Sequence, residues 1–449
     1  MHDWSEAIPL RQRLVVDQLT ALAFGLQHVA FQQTPTLSCS PSNDASRLTL
    51  GVGRKQTEAN NFFGGEMKCN AAIIHGAGQD WKIEEIEVDP PKVGEVLVKW
   101  THAGLCHSDE HLVTGDFVPD EEQAKAMGMT GSMYPMIGGH EGSGIIAEVG
   151  PYVTSVEVGD HVSASFVPSC GTCHYCATGR QNLCDAGGGT FLPGMITDGT
   201  SRHRLGETDL LMIAKLGTFS EYTCVSESQV IKVDKDLPLD AVALVSCGVA
   251  TGWGSATRRA DVRPGDTVVV VGTGGIGMNA VQGAAMAGAK HVIAVDPIEF
   301  KREKAMEFGA THTFGSMEDA MPEVVQMTQG RLADKVIMTP GVLHGELMEM
   351  ATGLAGKGST IVVTGLAPIS QKTSSVNLLE LAMWQKEIKG SIFGSLNPRA
   401  DIPNLLSMYQ AGKLKIDELI TNTYSLSDIN VGYQAMRDGE NIRGVVIHA

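Results

Sequence analysis

The stretch Gly104-Leu105-Cys106-His107-Ser108-Asp109-Glu110-His111 packs a soft ligand, carboxylate, hydroxyl and imidazole groups into eight residues, a density of chemistry found nowhere else in the chain. A thiolate suits zinc, but a catalytic zinc needs about three protein ligands and one open position, so Cys106 requires partners. Gly138-Gly139-His140-Glu141-Gly142 offers an imidazole between glycines that permit close backbone approach. Cys247 lies in Ser246-Cys247-Gly248-Val249-Ala250-Thr251-Gly252-Trp253. Taken alone, His140 reads as a packed interior histidine; taken together, Cys106, His140 and Cys247 form a set that leaves room for a substrate oxygen. By placement, Asp109 is a candidate to orient His140 from behind, and Glu141 a candidate to approach the metal as an occasional ligand. A second set, Cys170-x2-Cys173-x2-Cys176-x7-Cys184, puts four thiols on a loop of little apolar content. No position is left open, so it reads as a closed, structural tetrahedral zinc rather than a redox cluster or disulfides. His174 breaks that spacing and reads as a surface residue.

A third chemical signal is Gly272-Thr273-Gly274-Gly275-Ile276-Gly277, which follows the apolar run Thr267–Val271 and opens an Ala/Gly-rich segment. In that context the first glycine makes a tight turn, the second lets backbone approach a pyrophosphate and the third packs helix on strand, while free helix amides attract the phosphates. The next strand ends at Asp296, whose carboxylate suits the adenosine ribose and would repel a 2′-phosphate, which selects NAD.

The elements that must position these groups follow from the rhythm of the chain. From Met67 to about residue 248, short β-rich runs alternate with Gly/Pro punctuation, as in 95–100, 144–149 and 158–162, and predict a compact barrel-like all-β domain with inserted loops. From about residue 265, strand candidates at 267–271, 291–295, 311–314, 335–338, 359–364 and 388–393 alternate with helical lengths near 276–288, 299–308, 316–328, 344–355, 376–386 and 400–412. That alternation predicts a doubly wound parallel sheet. Residues 1–66 have weak periodicity and a polar second half, and read as a poorly structured extension or a targeting arm.

Composition narrows the classes. A formal net charge of −17 disfavours nucleic acid and anionic membranes as partners. No uninterrupted apolar run reaches the roughly 18 residues of a membrane span. Asp17, Gln18, Gln27 and His28 interrupt residues 14–31, which argues against a cleaved signal peptide. Nine cysteines, six of them in the two metal-like sets, suit a reducing compartment, and a cytoplasmic location is expected.

With these motifs in order and spacing, and with the closing Asn441-Ile442-Arg443-Gly444, residues 67–449 resemble the zinc-dependent medium-chain alcohol dehydrogenases. The wording of His107–Gly115, Ala260–Asp266, Asn279–Ala284, Asp296–Arg302 and Asn397–Pro403 is similar to the nitrosodimethylaniline-dependent branch. The resemblance implies a GroES-like β-barrel catalytic domain formed by 67–248 and 395–449 and a Rossmann domain over 249–394. It implies one catalytic and one structural zinc per chain, a small alcohol substrate and a homo-oligomer, dimer or tetramer. It further implies a nicotinoprotein: NAD stays bound and is reoxidised in place by an external acceptor, in actinobacteria the peptide-derived mycofactocin.

Family carry-over places the pyrophosphate near His107 and Arg443, the ribose at Asp296 with Lys301 nearby, Thr251 beside the nicotinamide, and a proton relay through Ser108 toward His111. The ordinary alternatives are a hydroxyl capping a helix that begins near Asp109, and an exposed helical histidine. One departure is the length of 115–134, which should border the substrate cleft; Met127, Met129 and Met133 there fit either an adaptable pocket or ordinary packing. Two rival functions fit parts of this pattern. A dehydrogenase with exchangeable NAD, including the glutathione-linked formaldehyde class, shares the zinc motifs, whereas a non-catalytic zinc and nucleotide sensor would have no use for three open-site ligands.

Overall fold

The structure is a computed structural model that describes residues 67–449 apart from 127, 128, 130, 190 and 191; the N-terminal extension expected over 1–66 and Met127 lie outside the described residues. Two mixed sheets, of six and seven strands, carry the first part of the chain. Glu95–Gly104 (β1) is almost wholly buried, which its Val-Leu-Val core and Trp100 require. It pairs with Gly142–Val149 along one edge, and with Tyr222–Ser226 and then Arg443–Ile447 along the other. Val445 sits opposite Gly104, so the last strand of the chain ends up beside the start of the Cys106 segment. The strand expected at 158–162 begins only at His161, because Gly159 adopts φ +85° and Asp160 N closes a turn on Glu157 O.

His107–Thr114 forms a helix (α1), with two carboxylates, Asp109 and Glu110, in its first turn, where they complement the helix dipole. It starts two residues before Asp109, and its N-cap is Cys106, whose thiol makes no capping hydrogen bond and stays free for other work. Gly115, at φ +82°, ends it in the left-handed conformation that only glycine adopts cheaply.

The third sheet contains Thr267–Val271 (β2), His291–Val295 (β3), His312–Phe314 (β4), Ala333–Met338 (β5), Ala355–Val363 (β6) and Glu387–Gly390 (β7), all parallel, in the order β4-β3-β2-β5-β6-β7. The strand order reverses at β2, which places a ligand crevice at the carboxyl ends of β2 and β5. All six expected strands form. The last stops at Gly390 rather than at 393, because Phe393 enters a tight turn that buries its ring against Phe166. Among the described residues one helix, Leu239–Arg259, is long and apolar enough to cross a membrane, and 83% of its 18-residue apolar stretch is buried within the fold.

Two buried histidines tie the stability of this unit to pH. Burial, reinforced by Arg202, pulls His203 down to about 3, where its Nε2 accepts from Cys224 N at 3.0 Å. Burial likewise lowers His448 to about 4 against the favourable pull of the Thr218 carbonyl. Both stay neutral in the folded chain and charge in the unfolded one below about 6.5. Their contribution is therefore complete above pH 6.5 and lost as the pH falls toward 4, at up to about 1.4 kcal/mol per pH unit from each. Thermal melts between pH 8 and 4.5 should show this slope, and His203→Gln should flatten it; an unaltered slope in that variant would remove His203 from the account.

Candidate active site

Cys106, His140, Glu141 and Cys247 are all buried, and one ligand atom from each lies within 4.8 Å of the others. They come from three separate places: the N-cap of α1, the turn before Gly142–Val149, and a π-turn, Val245–Val249, inside the buried helix. Such a turn rotates one residue out of the regular helical register, a device common at functional sites. Ser246 Oγ fixes it by accepting from Gly142 N at 3.1 Å. His140 Nδ1 stands 2.9 Å from Asp109 Oδ2, and Gly139 N donates to Asp109 Oδ1 at 2.8 Å. This leaves His140 Nε2 facing Cys247 Sγ at 3.6 Å. A carboxylate behind a histidine fixes the tautomer and sharpens the forward nitrogen as a ligand.

The electrostatics suit a cation. A hydrogen bond from Cys247, opposed by burial and aided by His140, holds the Cys106 thiol well below its usual range. Burial tends to lower His140, but Asp109 and Cys106 raise it well above the ordinary imidazole value. Burial pushes Glu141 up to about 7 against the pull of Arg443, to which its Oε2 is paired. Glu141 Oε1 keeps no hydrogen-bond partner although buried, as an occasional metal ligand would. The donor set therefore fits zinc, with two thiols and one imidazole as its ligands.

The four-cysteine loop also fits. Cys170, Cys173, Cys176 and Cys184 Sγ atoms lie within 4.8 Å of one another, and all four thiols are free. The 170–176 and 173–184 sulfur pairs stand 3.9 and 4.0 Å apart. That is far from the ~2.05 Å of a disulfide. It is close to the ~3.8 Å edge of a tetrahedron with Zn–S bonds of ~2.3 Å. Burial opposes ionisation of Cys170, but the amides of Cys173 and Thr172 bring it down to about 6. His174 is exposed at the rim.

At the sheet crevice, Gly272 takes φ +85° and an added Cβ would strike Pro340 backbone at 2.8 Å. A Cβ on Gly274 would meet nothing within 4 Å, while one on Gly277 would lie 1.9 Å from Gly272 O. Gly275–Met286 (α2) starts on Gly274 with no side-chain cap, so Gly275, Ile276 and Gly277 open it with free amides. Asp296 is buried at the end of β3, its two oxygens accepting from Thr273 N (2.7 Å) and Ile298 N (3.0 Å). Lys301 lies on the following helix, and the guanidinium of Arg302 is tied to the Asp296 and Pro297 carbonyls rather than offered to a 2′-phosphate. Arg443 is buried against Gly275, and His107 lies against Gly341 at the end of β5. Thr251 is buried with its Oγ1 unpartnered. The Cys106, His140, Glu141 and Cys247 cluster and the crevice at the sheet thus share Arg443 as a common wall.

Two family descriptions match this chain: "Alcohol dehydrogenase GroES-like domain" over residues 92–235 and "Zinc-binding dehydrogenase" over 275–411. An NDMA-dependent alcohol dehydrogenase from Amycolatopsis methanolica is 51% identical over 383 residues, covering 85% of this chain and 100% of the relative. The chain belongs to the zinc-dependent medium-chain alcohol dehydrogenases. An S-(hydroxymethyl)glutathione dehydrogenase from Paracoccus denitrificans is 36% identical, covering 85% and 100%. The crystal structure of benzyl alcohol dehydrogenase from Acinetobacter calcoaceticus superposes with a TM-score of 0.75 at 28% identity, covering 85% and 100%. As a member of this family the protein is an oxidoreductase acting on alcohols, with zinc and NAD as cofactors.

Within this dehydrogenase, Ser108 lies in the first turn of α1 and not at its N-cap, with its Oγ 3.7 Å from Cys106 Sγ. His111 is not at the surface: it is 1% exposed, and its ring is wedged between His107 (5.2 Å) and Phe117 (4.5 Å). Three neighbours escaped the sequence reading. Ser246 was hidden by its cysteine neighbour. Phe166 sets its ring edge-on to His140 at 5.8 Å and precedes the four-cysteine loop by four residues. Asp116 lies one residue past the helix-ending Gly115. In the long segment, Met133 packs into the core with Leu112 and Phe219, and Met129 is half-buried against the same cluster.

Proposed function

We propose that this enzyme oxidises a small primary alcohol with an NAD that stays on the protein and is reoxidised in place by an external acceptor, of which mycofactocin is our candidate. The observation that carries this reading is the 51% identity, over the whole of its length, to a relative described as NDMA-dependent. Bound zinc supplies the Lewis acidity that lowers an alcohol's pKa, and NAD supplies the hydride acceptor. The chain does the rest: Cys106, His140 and Cys247 would hold the metal with Asp109 behind His140, and Glu141 would approach it only intermittently. Ser108 receives the alcohol proton and directs it toward His111. Thr251 holds the nicotinamide, while His107, Arg443 and the α2 amides hold the pyrophosphate, and Asp296 with Lys301 the ribose.

We assign residues 67–248 and 395–449 to the catalytic domain, 249–394 to the nucleotide domain, and the chain to the cytoplasm, which suits eight free cysteines among the described residues. A dimer or tetramer paired along the β7 edge would cover Leu378, Leu379 and Met383, each more than 70% exposed.

Gel filtration followed by absorbance and mass spectrometry, before and after denaturation, tests the reading. NAD released only on denaturation is the expected result; NAD lost on the column would transfer the assignment to the exchangeable class, glutathione-linked enzymes included. Ser108→Ala should retain its zinc and lose about 10²-fold or more in turnover. Unchanged turnover would remove Ser108 from the mechanism.

A further inference from the structure

His111 has an unusual setting for a group expected to hand protons to solvent. Its Nδ1 lies 2.8 Å from Asp116 Oδ2, the same oxygen to which Thr114 Oγ1 donates at 2.7 Å. A carboxylate oxygen only accepts, so Nδ1 carries the ring proton and Nε2 of the neutral ring is the bare nitrogen. That Nε2 is buried and has no partner, which marks it as aimed at something the protein itself does not supply. Burial tends to raise Asp116, but hydrogen bonds from Thr114 and His111 hold its carboxyl below the usual carboxylate range. The arrangement depends on Gly115: its left-handed turn folds Asp116 back beside the ring one helical turn earlier.

Asp116 has a second attachment. Its carbonyl accepts from Ile369 N at 2.8 Å, and Gln123 Nε2, farther along the same segment, donates to Ile369 O at 3.4 Å. Ile369 follows β6 of the parallel sheet. The residue that holds the His111 ring is thus itself held by the loop that leaves β6 of the sheet carrying the dinucleotide turn. Its side chain is 25% exposed against 1% for that of His111, so it reaches solvent where the ring does not.

We infer that Asp116 is a positioning residue for the reaction: it fixes the proton of His111 on Nδ1, presents Nε2 as the acceptor, and links that orientation to the nucleotide-binding sheet through Ile369. The inference rests on the reading of His111 as the relay base. No feature of the relay motif points to it, since Asp116 lies outside Gly104–His111.

The test uses the full chain with its NAD in place and the variants Asp116→Ala, Asp116→Asn and His111→Gln. Asn keeps an acceptor oxygen for Nδ1–H, whereas Ala removes it. Asp116→Ala should lower kcat about tenfold or more with KM within about threefold, and Asp116→Asn should restore most of the loss. Exchange of the histidine C2 hydrogens, followed by mass spectrometry across pH, reads each imidazole without relying on turnover. The groups facing His111 are Asp116, Thr114 and His107, with Lys301 acting on His107 in turn. The His111 exchange profile should be displaced in Asp116→Ala, with exposed His174 unmoved. Wild-type kcat in Asp116→Ala would overturn the inference, as would equal losses in Ala and Asn with the His111 profile undisplaced. Wild-type turnover in His111→Gln would remove the relay reading and this inference with it; impaired His111→Gln beside an unimpaired Asp116→Ala overturns the inference alone.

Discussion

Replacing Cys106 with Ala is expected to reduce the zinc content of the purified chain from the two ions its two ligand clusters would hold to one, and alcohol turnover by about 10³-fold or more. At the N-cap of α1 the Cys106 thiol makes no capping bond, so its loss should leave the helix intact. What remains is His140, Cys247 and a Glu141 already paired with Arg443. Two firm ligands are too few for zinc at a site that must also keep a position open. The four-cysteine loop is separate and should keep its ion, so plasma mass spectrometry reads a loss of one and not of both. Two zincs with normal turnover would sink the assignment of this cluster. Asp109→Asn should act on the same site more mildly, costing about 10- to 100-fold in metal affinity, since it loosens the grip on His140 without removing a ligand.

The two clusters of candidate ligands were legible in the sequence because their chemistry constrains residue type: few side chains other than Cys and His bind zinc well, and a turn packed as tightly as Gly272–Gly277 has little room for anything but glycine. The parallel sheet was legible for a related reason, since strands buried on both faces, such as Val268–Val271, read as unbroken apolar runs. The setting of His111 was not. Its burial depends on Phe117 and Asp116 folding back over it, and that depends on a single φ at Gly115. No local pattern separates such a histidine from one on an exposed helix face. The same holds for Phe393, whose burial against Phe166 ends a strand that its own propensity would have continued. Tertiary contact overrides local preference at these points.

Two glycine substitutions in the dinucleotide turn should part company in a way that tests the nucleotide site independently of the zinc. In Gly277→Ala the new Cβ would lie 1.9 Å from Gly272 O and 3.0 Å from Thr339 Oγ1. Neither neighbour can yield: Gly272 O already accepts from Thr339 Oγ1 at 2.6 Å, and Gly272 N donates to Val295 O at 2.8 Å. The helix must then back away from β2, and the chain should lose about 3 kcal/mol or more of stability together with the NAD that we propose it retains. Gly274→Ala differs, because a Cβ there meets nothing within 4 Å and the backbone, at φ −72° and ψ −163°, is one alanine accepts. Its methyl should occupy the space a pyrophosphate needs, so NAD should be lost while the melting temperature holds. Absorbance of the purified variants and their thermal melts read both quantities. Retained NAD in Gly274→Ala would mean that the phosphates approach this helix from another side, and the assignment of the turn would have to be redrawn.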